Sequence, residues 1–245
     1  MKPLGVKPDS MQAGAFCAPD AGDVHVWIIR LDRQVAVVRL LWGMLSDDER
    51  ARALRFRCPR DQDRFIVAHA ALRSILSGYL SVMPSRVRIR TLAYGKPAID
   101  GDTAIRFNLS HSGDLALCAI AGGREIGVDV EQIRPDLDWD RLARCFFSAD
   151  EVAALEALEP KHRLEGFLRC WTRKEAYLKA RGEGLALSLD SFTVLPDPEP
   201  SIAKHWQIVD LKLMPAYVAA LAVEGHVRMV RYNNWGETLA PTVTF

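Results

Sequence analysis

Residues 126–133 of the chain read IGVDVEQI, and their apolar and polar side chains alternate as they do along a β-strand. Residues i and i+2 of a strand share a face, so the carboxyl groups of Asp129 and Glu131 lie on one face, with their Cα atoms about 7 Å apart. The simpler interpretation is the solvated face of a half-exposed strand, and these residues alone favour it. The alternative is a site for a hard divalent cation, because adjacent carboxylates repel each other and oxygen ligands suit Mg²⁺.

The segments before this strand alternate between strand and helix patterns. Residues 24–32 alternate and are rich in β-branched side chains, which indicates a strand. Ser46 and Glu49 form a capping-box pattern at the start of a short helix. Residues 61–80 carry apolar side chains at helical spacing and predict a longer helix that ends near Gly78. Short strands with glycine-rich turns are then expected at residues 87–99 and 105–123.

The same order of elements returns after the central strand. Ser148 and Glu151 repeat the capping-box pattern, and residues 162–180 predict a second long helix that is closed by Gly182 and Gly184. Further strands are expected at residues 191–195, 205–213 and 217–223.

This repeated order predicts an α+β fold built from two similar halves, with a ligand cleft between them. We expect a poorly ordered arm at residues 1–23, which are rich in glycine, proline and alanine. The first half is expected at residues 24–125 and the second at residues 126–245.

The composition argues against binding to nucleic acid or membranes and against secretion. A net charge of +1 gives no general attraction for nucleic acid or for an anionic membrane. Five scattered cysteines, without a C-x-x-C pair, predict reduced thiols in a cytoplasmic protein. The sequence has neither the apolar core of a signal peptide nor the roughly 18 apolar residues of a membrane span.

Four further patterns carry chemical groups, although each has a simpler explanation. Glu175 and Lys179 share a helix face at i and i+4, which is also the spacing of an ordinary surface ion pair. Ser110 and His111 occupy a turn whose hydroxyl, imidazole and backbone N–H groups suit a phosphate, or simply a polar turn. Lys96 lies on a Gly-Lys-Pro turn. The last pattern is a cluster of arginines. Most of them are expected to form a solvated helix face, and one or two are candidates to bind an anion instead. The cluster consists of Arg50, Arg52, Arg55, Arg57, Arg60 and Arg64.

The order and spacing of five motifs are more specific than any single one. The motifs are Gly95-Lys96-Pro97, Phe107–Gly113, Ile126–Glu131, Phe146–Glu151 and Trp171–Lys179. Together they resemble the 4′-phosphopantetheinyl transferase superfamily, and most of all its surfactin-synthetase-activating type. The similarity runs from about residue 24 to the end of the chain.

The resemblance implies a monomer whose two similar halves are related by a pseudo-twofold axis, with coenzyme A in the cleft between them. It implies transfer of the 4′-phosphopantetheine group from coenzyme A to a serine of an apo acyl or peptidyl carrier protein, with release of adenosine 3′,5′-bisphosphate. The implied cofactor is Mg²⁺, with Mn²⁺ as an alternative ion. Because carrier proteins of such enzymes are acidic, we expect the carrier to contact residues 142–155.

The resemblance also implies roles for individual residues. Asp129, Glu131 and Glu175 are expected to hold the metal ion. Glu175 is the candidate base for the carrier serine. Lys179 is expected to stabilise or protonate the leaving bisphosphate, steadied by Glu151.

The implied coenzyme A site draws on several segments. Ser110 and His111 are expected at the phosphates, Lys96 and Pro97 along the nucleotide, and Arg64 at the adenylate end. The other implied members of this site are Arg52, Asp129 and Lys179.

One departure from the family pattern concerns the clamp for the 3′-phosphate. Relatives often place two lysines near the first helix, where this chain has Glu49 and Arg52. Arg52 can contact a phosphate, whereas the carboxylate of Glu49 repels one, so the sequence leaves the geometry of this clamp open.

Three rival functions remain open from the sequence. The first is a Mg²⁺-dependent transferase that uses another nucleotide-like donor. The second is a coenzyme A- or nucleotide-binding module that has lost catalysis, against which the presence of all three acids and Lys179 argues, because pure binding has no need for such a dense group of charges. The third is RNA binding by the arginine-rich helix, which the near-neutral charge disfavours.

Overall fold

The computed structural model describes residues 16–184, 187–195 and 200–236. The prediction of a poorly ordered arm falls for residues 1–15 outside this part of the chain. The helices are Val35–Leu41 (α1), Asp47–Ala53 (α2), Pro59–Leu80 (α3), Trp139–Phe146 (α4), Ala149–Glu156 (α5), Pro160–Arg181 (α6) and Pro200–Ala203 (α7). The strands are Asp23–Arg30 (β1), Ile89–Thr91 (β2), Pro97–Ile99 (β3), Ile105–Ser112 (β4), Leu115–Gly122 (β5), Ile126–Gln132 (β6), Trp206–Asp210 (β7), Tyr217–Glu224 (β8) and Met229–Asn234 (β9).

Two main sheets organise the described residues. The first has the strand order β4-β5-β1-β9, and the second has the order β6-β8-β7. In the first sheet Cys118 of β5 lies between Trp27 of β1 and Leu109 of β4, both in antiparallel pairs. In the second sheet Asp129 of β6 pairs antiparallel with Ala220 of β8. Strands β2 and β3 form a small separate ribbon.

The two sheets and the two long helices stack in layers, because alternate residues of each strand enter different cores. Trp27 and Ile29 of β1 pack with α3, whereas Val24 and Val26 pack into a core shared with the second sheet. On the other side, Ala220 of β8 packs with α6. The layers therefore run α3, first sheet, second sheet, α6, which is a mixed α and β architecture.

Local capping signals fix the helix starts as the sequence predicts. Ser46 and Glu49 form the expected capping box of α2, and Ser148 and Glu151 form that of α5. Helix α6 ends at Gly182 in a left-handed conformation, again as expected.

Helix α3 ends at Leu80, as the sequence predicts, and Gly78 near its end has a packing role. A Cβ at this glycine would lie 2.3 Å from the Phe16 ring, so the missing side chain admits Phe16 against the helix. The Phe16 backbone N–H also donates to the Gly78 carbonyl at 3.0 Å. Phe16 therefore packs against α3, and Asp23 begins the first strand.

Residues 191–195 do not form the strand that their apolar alternation predicts. They follow a 3₁₀ turn at Leu189–Ser191, and Phe192 and Val194 are buried in the core beneath α6. Backbone groups of this segment bond to side chains instead of to a neighbouring strand. Alternating burial in an irregular segment leaves the same sequence pattern as a strand, and this explains the error.

Strand β9 has no counterpart among the sequence predictions, and it crosses the predicted boundary between halves. It comes from the end of the chain but pairs in parallel with β1 of the first sheet, with Val26 opposite Tyr232. Buried Asp23 accepts hydrogen bonds from Arg228 at 3.0 Å and Arg231 at 3.4 Å, which fastens the strand. A parallel pairing of residues about 200 positions apart leaves no local signal in the sequence.

None of the described helices combines the length and the apolar composition that crossing a bilayer requires.

Candidate active site

A row of polar side chains on β4 faces the edge of β6. The Asn108 side-chain oxygen accepts a hydrogen bond from the Val128 backbone N–H at 2.9 Å. The Ser112 hydroxyl accepts one from the Gln132 backbone N–H at 3.1 Å. These side chains replace backbone partners between the edge strands of the two sheets and hold the strands in register. The motif Phe107–Gly113 contains Asn108 and Ser112, but sequence reasoning assigned neither a specific role, although a polar residue at every second position from 108 to 112 was the available signal. The turn predicted at Ser110 and His111 is wrong, because both residues lie within β4.

Asp129 lies at the centre of this junction and is only 3% exposed. One carboxylate oxygen, Oδ1, accepts hydrogen bonds from the Ser110 hydroxyl at 2.9 Å and from the Lys179 ammonium at 2.5 Å. Lys179 also donates to the Ser110 hydroxyl at 3.1 Å. The structure therefore brings together Ser110, Asp129 and Lys179 as the motif order suggested.

Gly127 allows α6 to approach β6 closely enough for this contact. A Cβ at position 127 would lie 2.1 Å from the Ala176 carbonyl oxygen and 2.4 Å from the Ala180 nitrogen. Both are backbone atoms, which cannot turn aside as a side chain would. Sequence reasoning did not single out Gly127, because a glycine within a strand pattern does not reveal what it contacts.

We expect Gly127→Ala to lower the free energy of unfolding by about 1–3 kcal/mol or more, since α6 must move away from β6. Denaturant unfolding followed by circular dichroism measures this change. Gly43→Ala is the matched control, because a Cβ at Gly43 meets nothing within 4 Å. Equal stabilities of the two variants would show that the close approach is not required.

Burial raises the pKa of three carboxyl groups around the junction, and neighbouring carboxylates add to the effect for two of them. Burial raises the pKa of Asp129 above its ordinary value, although Lys179 and Ser110 act in the opposite direction. Burial also raises the pKa of Glu131, and the charge of Asp129 adds to the effect. Burial raises the pKa of Glu175, to which the charges of Asp129 and Glu131 contribute. The three acids thus lie near one another, and the charge of Asp129 disfavours the ionised forms of Glu131 and Glu175.

The donor set suits a hard cation. The second Asp129 oxygen, Oδ2, is buried and has no hydrogen-bond partner among the described residues, so it is an acceptor that lacks a positive group. Nevertheless, within the described chain no three acidic, histidine or cysteine side chains are already gathered as a metal-ligand set. Carboxylate oxygens match the preference of Mg²⁺, which usually takes only one or two carboxylates from the protein.

Glu151 does not steady Lys179, contrary to the sequence expectation. Its carboxylate and the ammonium of Lys174 form an ion pair at 2.8 Å in which both side chains are fully buried. Lys179 is five residues further along α6 and projects from another side of the helix. Sequence reasoning missed Lys174, since a lysine within a helix gives no sign of burial.

Lys96 and Pro97 line a cleft with Glu175 and Lys179. This cleft has a volume of about 310 Å³ and also contacts Asn108. The Lys96 ammonium itself binds Glu125 at 2.5 Å and the Ala180 carbonyl at 2.6 Å, so it ties the turn to the end of α6. The turn therefore lines the cleft, while the charge of Lys96 has protein partners.

Arg64 is held at the edge of the junction by Asp114, which sequence reasoning also missed. Its Nε and Nη2 groups donate to one Asp114 oxygen at 3.0 and 2.8 Å, and its Nη1 group donates to Asp61 at 3.2 Å. Arg60 binds the other Asp114 oxygen at 2.8 Å. These bonds fix the plane of the Arg64 guanidinium.

His111 lies near a concentration of positive charge. Removal of solvent around its imidazole lowers the pKa, and three cationic side chains lower it further. These cations are Lys179, Arg52 and Arg64. Arg52 lies over the Phe65 ring, with its guanidinium carbon 5.2 Å from the ring centroid. His111, a predicted phosphate contact, therefore lies among groups that attract an anion.

Glu49 has a structural role instead of a place in an anion clamp. Besides capping α2, it binds the buried guanidinium of Arg73 at 2.6 Å. Arg73 in turn donates to the Val87 carbonyl at 2.9 Å. At this end of the site Arg52 is therefore the residue of the pair that is able to contact an anion.

Comparisons with known proteins identify the family of the chain. The model of the 4′-phosphopantetheinyl transferase superfamily matches residues 125–222, and the model of the 4′-phosphopantetheinyl transferase N-terminal region matches residues 34–123. The 4′-phosphopantetheinyl transferase HetI of a Nostoc species is 41% identical over 209 residues, which cover 83% of this chain and 88% of that protein.

Two further relatives cover less of the chain. The 4′-phosphopantetheinyl transferase Sfp of Bacillus subtilis is 34% identical over 153 residues, 62% of this chain and 66% of that one. The 4′-phosphopantetheinyl transferase AcpT of Escherichia coli O157:H7 is 44% identical over 141 residues, 58% of this chain and 70% of that one. With both halves matched and the motif residues gathered at one junction, the chain belongs to the 4′-phosphopantetheinyl transferase superfamily and is an enzyme of that type.

Proposed function

We propose that the enzyme transfers the 4′-phosphopantetheine group of coenzyme A to a serine of an apo acyl or peptidyl carrier protein in a Mg²⁺-dependent reaction. The observation that carries this proposal is the contact of Lys179 with Asp129 and Ser110 beside a cleft lined by Lys96 and Glu175. Ammonium, carboxylate and hydroxyl groups at one cleft provide what a diphosphate substrate requires.

Coenzyme A lies across the junction in this proposal. The Lys96-Pro97 turn lines its nucleotide, because this turn forms a wall of the cleft. Ser110 and His111 contact its phosphates. Arg64 and Arg52 bind the adenylate end and the 3′-phosphate, since guanidinium groups match phosphate oxygens.

Asp129, Glu131 and Glu175 are the residues that would hold Mg²⁺, or Mn²⁺ in its place. The unpartnered Oδ2 atom of Asp129 supports this assignment, as do the raised pKa values of all three acids. A bound ion supplies neutralisation of the negative charge on the diphosphate oxygens.

The protein's own groups manage the protons of the transfer. The carrier serine oxygen attacks the phosphorus that bears the pantetheine arm, and the serine proton passes to Glu175, directly or through water. The bond from this phosphorus to the bridging oxygen breaks, and adenosine 3′,5′-bisphosphate leaves. Lys179 donates a hydrogen bond or a proton to the departing oxygen.

Intact mass spectrometry tests this function directly. The enzyme is mixed with coenzyme A, Mg²⁺ and several apo carrier proteins, and we expect a phosphopantetheine adduct on the carrier serine that EDTA abolishes. Substituting other nucleotide donors for coenzyme A tests the rival transferase. Labelling from such a donor, with none from coenzyme A, would contradict the proposal.

The titration of Glu175 predicts how stability depends on pH when metal is removed. Because the folded protein raises the pKa of this acid, the unfolded chain loses its proton first as the pH rises. The stability contribution of Glu175 is therefore full below the ordinary carboxyl pKa of about 4 and is lost as the pH rises through the raised value. Urea unfolding in EDTA should show Glu175→Gln gaining stability relative to wild type as the pH increases from about 4 to 8. A difference between the two proteins that stays constant with pH would contradict this assignment.

The arrangement of the whole molecule in solution is also part of the proposal. Two helices of 22 residues, α3 and α6, each begin with proline and follow a helix with a capping box, which supports two pseudo-twofold related halves in a monomer. The last strand then belongs to the first sheet by pairing, although it follows the second half in the chain. We place the enzyme in the cytoplasm, since Cys118 and Cys170 are buried thiols.

The carrier protein contacts α4 and α5 in this proposal. Phe146, at the end of α4, is 42% exposed and meets the Trp171 ring edge-on at 5.9 Å. An exposed aromatic side chain next to α6 is a suitable anchor for a partner that presents its serine to Glu175.

A further inference from the structure

We propose that Ser112 is a positioning residue for Glu131, which it acts on by a hydrogen bond that fixes the carboxylate at the metal end of the junction. This inference rests on the proposed function, because it assumes that Glu131 is a metal ligand. None of the roles assigned above requires Ser112 to contact substrate or ion.

The hydrogen bonds of Ser112 leave its hydroxyl a single orientation. The hydroxyl oxygen accepts from the Gln132 backbone N–H at 3.1 Å, and the hydroxyl proton is donated to Glu131 Oε2 at 2.7 Å. A serine hydroxyl has one proton, so this donation uses its whole donor capacity. Among the described residues, Ser112 is the only hydrogen-bond donor to the Glu131 carboxylate.

The turn that follows Ser112 is itself held against the second sheet. Gly113 has a φ of +56°, and a Cβ there would lie 2.4 Å from the Gln132 side-chain oxygen. The next backbone N–H, of Asp114, donates to the Tyr217 hydroxyl at 3.2 Å. Because the turn contacts both β6 and β8, Ser112 is fixed relative to the strand that carries Glu131.

Glu131 needs such a partner more than Asp129 does. Asp129 receives bonds from both Ser110 and Lys179 and is buried, whereas Glu131 is half-buried at the end of β6. A half-buried carboxylate without a fixed partner samples several rotamers. When it binds an ion only one rotamer remains populated, and the loss of conformational entropy weakens binding. A hydrogen-bond partner behind a ligand removes that cost and typically changes metal affinity by about 10–100-fold.

The test measures metal affinity directly rather than turnover. Free Mn²⁺ is followed by electron paramagnetic resonance while the enzyme, saturated with coenzyme A, is titrated. We expect Ser112→Ala to raise the dissociation constant for Mn²⁺ about tenfold or more. Ser112→Thr, which keeps the hydroxyl, should stay close to wild type, and Ser85→Ala, an exposed serine on the first half, serves as the matched control.

Two further measurements separate positioning from a general loss of structure. Binding of coenzyme A in EDTA and the circular dichroism spectrum at the assay temperature should be nearly unchanged in Ser112→Ala, while loss of the bond to the Gln132 N–H should lower the midpoint of thermal unfolding modestly. If that variant fails to fold, Ser112→Cys retains the size of the side chain with a weaker donor and should weaken Mn²⁺ binding in the same direction.

A double-mutant cycle with Glu131→Gln shows whether Ser112 influences Mn²⁺ affinity through Glu131. If Ser112 acts through Glu131, Ser112→Ala will have no further effect on Mn²⁺ affinity in the Glu131→Gln background. Unchanged Mn²⁺ affinity in Ser112→Ala, with weakened affinity in Glu131→Gln, would overturn the inference and leave the proposed metal site intact. Unchanged affinity in Glu131→Gln would overturn both.

Discussion

Lys174→Met is expected to lower the free energy of unfolding by about 3–5 kcal/mol, because it leaves the carboxylate of Glu151 buried without its cation. Both members of this pair are completely buried. The variant also loses the bonds from the ammonium to the carbonyl oxygens of Leu189 and Phe192. Urea unfolding followed by circular dichroism measures the loss.

The buried pair connects three segments of the second half, and this explains the size of the expected effect. Glu151 caps α5 through Ser148 and accepts a bond from the Val194 backbone N–H at 2.7 Å. Lys174, from the middle of α6, reaches both this carboxylate and the irregular segment that contains Phe192. Removing the ammonium therefore breaks the contacts of α6 with both Glu151 of α5 and the segment that contains Phe192.

The matched control is Lys161→Met. Lys161 forms an ion pair with Glu159 at 2.9 Å, but both side chains are about 70% exposed. Exposed pairs contribute less than about 1 kcal/mol, so this variant should remain close to wild type. Similar losses in the two lysine variants would show that the buried pair does not hold these segments together. A Lys174→Met/Glu151→Gln double variant should recover part of the loss, because no unpaired charge then remains inside.

Features that depend on neighbouring residues could be predicted from the sequence. The capping boxes of α2 and α5 lie within four residues of chain, so their patterns fixed both helix starts. The alternation of residues 126–133 likewise predicted β6. Features that depend on distant contacts could not be predicted in this way. Strand β9, for example, is defined by its partner β1 at the other end of the chain.

The same distinction between local patterns and distant contacts applies to the candidate site. The motif order indicated that Asp129, Ser110 and Lys179 belong to one site, and the structure brings these three side chains into contact. The sequence analysis assigned Lys179 to Glu151, whereas the partner is Lys174. Packing between α5 and α6 decides which face of α6 meets Glu151, and the sequence does not show this packing. Gly127 was missed for the same reason, since its importance lies in the backbone of α6 that passes over it.

Glu175→Gln is expected to lower kcat by about 10²–10⁴-fold, the usual contribution of a general base. Glutamine keeps the size of the side chain but cannot accept the serine proton. Position 175 lines the cleft beside Lys179, which places its carboxylate where a carrier serine would approach the diphosphate. Intact-mass assays under single-turnover conditions, with coenzyme A and carrier saturating, measure the loss.

The concentration of Mg²⁺ separates the two roles proposed for Glu175. A residue that only helped to hold the ion would recover its rate when Mg²⁺ is raised to saturation, whereas a missing base is not restored by metal. We therefore expect the low kcat to persist at saturating Mg²⁺, and near-normal turnover there would exclude Glu175 as the base. Glu165→Gln is the control on the same helix, because Glu165 is half exposed and pairs with Arg169 away from the cleft. That variant should keep the wild-type rate. If Glu165→Gln were also slow, the low kcat of Glu175→Gln would reflect a disturbance of α6 rather than loss of the Glu175 carboxylate.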